Sequence, residues 1–185
     1  MGGFIKTAWW ATKRSTSQLL GVPLNPNSYV EFAIRDLAIR YAVAVDDCDL
    51  PSVLNKFTKS GSFERAGQKV EGQEELSSFF TGMMDRYILT RHLIHMHTVE
   101  VSRRRVSGVV HGSAELVLDD TLYLSAFRWH DLYELEAGEW KFSNRQLKFI
   151  YYMPATELAN EISAVKRVRI PGAEPQTSEH LNISS

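Results

Sequence analysis

Around Tyr87 the apolar pattern of this chain changes period from about 3.6 residues to about 2, and no other feature of the sequence limits the possible folds so sharply. Before that point the apolar residues Val30, Ile34, Leu37, Tyr41 and Ala44 fall on one helical face. Ser28 with Glu31 three places on reads as a capping box that starts this helix. The run Asp46-Asp47-Cys48-Asp49 ends it, because three acids crowd the negative pole of the helix dipole. A short helix over Leu50 to Phe57 follows, with Pro51 in its first turn. The pattern then predicts a short strand around Ser62 to Arg65, a turn at Gly67 and a third helix from about Gln73 to Arg86. Beyond Tyr87, four segments rich in β-branched and aromatic residues read as strands: His92 to Ser102, Val106 to Leu118, Leu122 to Glu136 and Trp140 to Tyr152. Their connections, Arg103 to Arg105, Asp119-Asp120 and Ala137-Gly138, are short enough for hairpins. Helices first and a strand meander afterwards give an α+β fold, with helices covering one face of a strongly curved, mainly antiparallel sheet.

The segments outside this pattern set the domain limits. Residues 1–27 carry Lys6, Lys13 and Arg14 with no acid and read as an N-terminal arm that packs over the domain or a partner subunit. The domain runs over 28–153. A C-terminal stretch, 154–185, opens with a short helix from Ala155 to about Val165 and is polar and rich in breakers beyond Pro171, as a loose tail would be. With 21 basic against 22 acidic residues, the net charge of -1 supplies no bulk attraction to nucleic acid. No apolar run approaches the roughly 20 residues of a membrane span. A single cysteine, Cys48, excludes an internal disulfide and points to a reducing cytoplasm.

His92 is the first candidate for chemistry. Strand alternation puts His92, Ile94, Met96 and Thr98 on one face and Leu93, His95, His97 and Val99 on the other. On a concave, apolar face an imidazole is held neutral and basic. A lone histidine there also suits a structural role, as a donor to a backbone carbonyl. Asp46 gives the functional alternative more weight: a carboxylate on the last turn of an apolar helix needs a partner, and an imidazole paired with it becomes an oriented general base. Asp47 and Asp49 read as solvated residues at a helix end. His95 and His97, with His111 on the next strand, have the spacing of a β-sheet metal site, although this face is expected to be the convex one. No metal or other cofactor is assigned on that basis.

The order of these residues resembles a known family. Ala42-Val43-Ala44-Val45-Asp46 with Asp49-Leu50, then Phe63, Val70-Glu71-Gly72, Thr90-Arg91-His92, Val99-Glu100-Val101 and Glu139-Trp140-Lys141-Phe142 are similar to the SnoaL-like branch of the nuclear-transport-factor-2-like superfamily. The resemblance spans about residues 28–153 and implies a cone-shaped α+β barrel, with three helices packed in the curved sheet around an apolar pocket. Within that branch the helix-end Asp and strand-start His resemble the catalytic pair of scytalone dehydratase and hexachlorocyclohexane dehydrochlorinase. Carried over, Asp46 orients and His92 abstracts a proton. The implied activity is a cofactor-independent, dehydratase-type elimination on an apolar cyclic small molecule. Proton-transfer isomerisation, cyclisation and non-catalytic ligand binding or assembly are the alternatives on this fold.

The resemblance also implies a pocket wall and points of departure. Phe63, Arg65, Phe80, Met84, Ile94, Met96, Phe127, Trp129, Phe142 and Asn144 fall where substrate contacts are expected, with Phe79, Met83 and Tyr152 beside them. Where scytalone dehydratase carries two tyrosines that hold a water, this chain has Val45 and Arg65. Phe127 and Trp129 replace its Ser and Asn, and its second histidine falls near Leu116. The base is kept and the leaving-group machinery is changed, with Arg65 or Asn144 as replacement candidates. The family often forms dimers or trimers, and Leu93, Val99 and Val101 would suit such a homo-oligomeric interface if they lie on the convex face.

Overall fold

The computed structural model describes residues 27–179, so the expected N-terminal arm lies outside the described residues except for its last position. Helix α1 (Ser28–Asp46) turns the expected Ile34, Leu37, Tyr41 and Ala44 into the core together with Ala38 and Ala42, while Val30 is only partly buried. The capping box does not form. Asn27 occupies the cap position in a helical backbone conformation without a side-chain cap, and Ser28 is already inside the helix. Helix α2 (Leu50–Asn55) begins at Asp49, whose carboxylate accepts the Ser52 N–H at 3.1 Å. It stops short of Phe57, because that residue opens strand β1 (Phe57–Arg65) and is buried. A hairpin with left-handed Ala66 and Gly67 leads into β2 (Gln68–Glu71), and α3 (Gly72–Met84) follows.

The period change at Tyr87 marks the start of sheet. Strands β3 (Leu89–Val101), β4 (Val106–Leu118), β5 (Thr121–Glu136) and β6 (Glu139–Pro154) run as an antiparallel meander. Both residues of each tight turn, Asp119-Asp120 and Ala137-Gly138, have positive φ, the backbone twist that two-residue hairpins need. The sheet order is β2-β1-β6-β5-β4-β3, with β1 parallel to β6. The sheet curls without closing and its inner face receives the helices. This is the expected α+β cone, with no helix among the described residues long and apolar enough to cross a membrane.

Bulges decide which side chains enter that face. In β3 the register shifts between Ile94 and Met96, leaving His95 as the extra residue. Strict alternation therefore fails halfway along the strand. His92 and Ile94 point inward, Met96 turns out to 59% exposure, and His97, Val99 and Val101 turn in. Leu93 stays on the outer face, whereas Val99 and Val101 pack against the core and are not available to a partner subunit. In β6 a second shift, opposite Leu132 and Tyr133, skips Ser143. Asn144 is thereby turned outward, where it donates to Ser62 Oγ at 2.8 Å, and Arg145 enters the core.

The C-terminal stretch is more ordered than its composition implies. Helix α4 (Ala155–Glu161) is shorter than expected, and the chain beyond it returns to the sheet. Val168 is buried and bridges Tyr152 and Gln176, while the Glu179 N–H reaches the Phe149 carbonyl. Residues 171–179 are therefore tied to the domain and do not form a loose tail.

Between α1, β5 and β6 lies a buried ion pair. The Arg145 guanidinium donates from Nε and Nη2 to both oxygens of Asp131, at 2.9 and 2.7 Å, with both side chains fully buried. Tyr41, Trp129 and Phe142 enclose the cation with ring centroids at 4.3, 4.0 and 3.8 Å. The Tyr133 hydroxyl donates to Asp131 at 2.9 Å and so accepts from His97 Nε2 at 3.1 Å. His97 Nδ1 is left buried without a partner. Desolvation, reinforced by Arg145 and only partly opposed by Asp131, lowers the His97 pKa to about 4.

Two outcomes follow for stability. Arg145→Met leaves Asp131 buried and unpaired and is expected to cost about 3–5 kcal/mol in denaturant unfolding, part of which Asp131→Leu on the same background restores. A loss below about 1 kcal/mol would contradict the account. His97 takes up a proton in the unfolded chain near its ordinary value of 6.5 and in the folded chain only near 4, so stability is lost as pH falls through that window. His97→Gln is expected to flatten the decline when melting temperature is followed across it.

Candidate active site

A cavity opens between the end of α1, helix α3 and the inner face of the sheet, with a volume of about 120 Å³. That is close to the ~150 Å³ of an apolar cavity that holds one benzene ring. Its walls are mostly apolar, from Phe63, Phe79, Phe80, Phe127, Trp129 and Phe149, with Met83 and Met84 at the α3 side. Methionines there let the wall adapt to ligand shape.

One polar group of this cavity is Asp46 and His92. Helix α1 ends at Asp46, and β3 brings His92 alongside it. His92 Nδ1 lies 2.6 Å from Asp46 Oδ1, and the His92 backbone N–H donates to Oδ2 at 2.7 Å. Thr90 Oγ1 adds a third donor to Oδ1 at 3.0 Å. Burial alone would raise the Asp46 pKa, but the hydrogen bonds and charge of His92, with Thr90, outweigh it and hold the carboxyl below its ordinary value. An ionised Asp46 fixes the Nδ1–H tautomer of a neutral His92, which leaves the Nε2 lone pair for the cavity. No described side chain hydrogen-bonds Nε2.

Aromatic contacts hold the imidazole. Its centroid is 5.9 Å from Phe127 and 6.0 Å from Trp129. Phe127 comes this close to β4 because Gly112 has no side chain; a Cβ there would lie 2.6 Å from the ring. Asp46 and His92 are both partly exposed, at 21% and 16% of the side chain, so a ligand in the cavity can reach them.

The expected contact residues divide by strand face. Phe63, Arg65, Phe80, Met84, Phe127 and Trp129 line the cavity with the dyad. Ile94 faces inward but packs in the core below it, and Phe142 is sealed against Tyr41 and Arg145. Met96 and Asn144 are carried to the outer face by the two bulges, so neither can touch a ligand here. His95, His97 and His111 do not converge either, since His97 turns inward while His111 lies among the outward positions of β4. Among the described residues no group of three or more His, Cys, Asp or Glu is placed to hold a metal ion.

Several wall residues had no assigned role. Thr90 precedes His92 by two and so shares its strand face, a signal present in the sequence. Tyr41, one turn and a residue before Asp46, belongs to the buried stripe of α1 and reaches the cavity from it. Tyr87 sits at the period change, Phe149 depends on the β6 bulges, and Cys48 lies at the cavity edge. Asp46→Asn supplies an N–H where the ring needs an acceptor. It is expected to shift neutral His92 toward the Nε2–H tautomer in imidazole ¹⁵N NMR; unchanged tautomer populations would contradict the assigned hydrogen bond.

Comparison with known proteins agrees with this architecture. A family model described as SnoaL-like domain matches residues 30–146. No curated protein matches the chain by sequence. Among solved structures, a candidate scytalone dehydratase from Novosphingobium aromaticivorans superposes with a TM-score of 0.65 at 13% identity, covering 80% of this chain and 97% of its own. Hexachlorocyclohexane dehydrochlorinase LinA type 2 gives 0.64 at 19% identity, covering 78% and 96%. LinA type 3 from Novosphingobium barchaimii gives 0.62 at 21%, covering 68% and 90%. At these identities the superpositions speak to fold, and the family model, which spans more than half of the sequence, speaks to kinship: the chain belongs to the SnoaL-like domain family.

Proposed function

We propose that this protein is a cofactor-independent lyase that eliminates water or halide from a small cyclic substrate, with His92 as general base and Asp46 as its orienting partner. One observation carries the reading: a carboxylate with three donors holds the imidazole of His92 at the wall of an apolar cavity. The candidate dehydratase and the dehydrochlorinase among its structural neighbours are named for eliminations, which supports the reaction class by analogy.

The chemistry is short. Nε2 removes a proton from a substrate carbon, the C–H electron pair becomes the new double bond, and the leaving group on the neighbouring carbon departs with its own pair. A departing hydroxyl takes the proton back from the imidazolium and leaves as water, whereas a halide leaves as the anion and the imidazolium then gives its proton to solvent; either route restores the neutral base. The negative charge of Asp46 stabilises the imidazolium in between. The apolar walls keep bulk water from competing for the base. Val45, Arg65, Leu116, Phe127 and Trp129, the positions that differ from the scytalone dehydratase pattern, all line the cavity. That supports a substrate different from scytalone with the base conserved in place.

Screening hydroxylated and halogenated single-ring compounds by loss of substrate and release of water-derived product or halide provides the assay. Against a turned-over compound, His92→Ala is expected to lower kcat by roughly 10²- to 10⁴-fold with an unchanged melting temperature. Full activity in both His92→Ala and Asp46→Asn would refute the dyad. Product structure separates elimination from isomerisation: only elimination releases the leaving group.

A further inference from the structure

Across the cavity from the dyad stands a cation that the fold leaves without a counter-charge. Arg65 closes β1, which in sheet order is separated from β3 by β6, β5 and β4, so Arg65 and His92 belong to opposite walls. Its Nη1 donates to the Met83 thioether at 2.8 Å and its Nη2 to the Tyr87 hydroxyl at 3.3 Å. Nε is buried with no partner. A thioether is a weak acceptor, and no carboxylate of the described residues pairs with this guanidinium. Arg145 makes the contrast plain, since there the fold supplies a bidentate Asp131 to a buried guanidinium. Holding a cation in an apolar cavity is unfavourable unless something negative completes it.

The surroundings complete a donor set. Tyr87 and Tyr152 hydroxyls lie 3.0 Å apart, and both side chains line the cavity. In such a pair one hydroxyl proton bridges the two oxygens, so the other remains to be donated to a ligand. Burial, reinforced by Tyr87, raises the Tyr152 pKa, so the Tyr152 hydroxyl stays protonated and can donate. Phe149 and Tyr152 pack near the guanidinium, at 5.7 and 6.0 Å from its carbon to their centroids, and restrict its orientation.

We propose that Arg65, Tyr87 and Tyr152 form a subsite for an anionic oxygen of the substrate, and that the substrate is a single-ring compound bearing a carboxylate. The inference rests on this cavity being the substrate site and deepens the elimination proposed for it. The carboxylate is gripped at one wall, where the guanidinium fork matches its two oxygens. The ring then spans the aromatic middle and presents its carbon to His92 at the other wall. The cavity volume of about 120 Å³ has room for one ring.

Benzoate and its neutral isostere benzamide test this without turnover. In calorimetric or ligand-observed NMR titrations of the full-length protein, benzoate is expected to bind roughly tenfold more tightly than benzamide. Arg65→Met is expected to abolish the preference while leaving benzamide affinity unchanged, and Arg65→Lys to retain part of it. His92→Ala is expected to keep the preference whole, because the base lies on the other wall. Equal affinities in the unaltered protein, or a preference that survives Arg65→Met, would overturn the subsite; the comparison within the unaltered protein decides even if a variant fails to fold. Equal benzoate and benzamide affinities in the unaltered protein with an inactive His92→Ala refute the subsite and spare the dyad. A benzoate preference in the unaltered protein that Arg65→Met abolishes, with an active His92→Ala, does the reverse.

Discussion

The Arg145 guanidinium, pressed between Tyr41, Trp129 and Phe142 and tied by two hydrogen bonds to Asp131, joins α1, β5 and β6 in the core. Through Tyr133 the same carboxylate reaches His97 and therefore β3. Tyr41 and Trp129 have a second role, since they also line the cavity, and Trp129 packs beside the His92 ring. One buried ion pair thus fixes the floor on which the base stands. Desolvating two charges is costly, and the pair holds because both carboxylate oxygens are used and aromatic faces replace part of the lost hydration.

Above that floor the cavity is asymmetric. One wall carries a carboxylate–imidazole pair, the other an uncompensated guanidinium with two phenols, and the rings between them are apolar. In a low-dielectric space each polar group acts more strongly than it would in water. The arrangement suits a ligand with one negative end and an acidic C–H at the other. A net charge near zero for the whole chain is compatible with this, because a single guanidinium in the cavity can attract such a ligand without a surface field.

Much of the fold and part of the site were legible in the sequence. The switch of period separated helix from sheet because apolar spacing follows directly from backbone geometry, and Ile34, Leu37, Tyr41 and Ala44 of the expected α1 stripe are buried, while Val30 is only partly so. Asp46 and His92 could be paired because an acid at the end of an apolar helix needs a partner. The bulges were not legible. One extra residue at His95 reversed the facing of the rest of β3 and one at Ser143 that of β6 as far as the shift at Ile150, which sent Met96 and Asn144 outward and brought His97 and Arg145 in. Nothing in the local composition marks either position. The Arg145 network was invisible for the same reason, since its partners meet only after the register shift. The stretch beyond Pro171 has few apolar residues, and its attachment rests on backbone bridges that composition does not encode.

The central claim is that His92 removes a proton from a substrate carbon in this cavity. The most direct measurement is exchange at that carbon in D₂O, followed by NMR or mass spectrometry on recovered, unreacted substrate. Deuterium is expected to enter the substrate in the presence of the unaltered protein and not with His92→Ala. Exchange at the same rate in both would contradict the account.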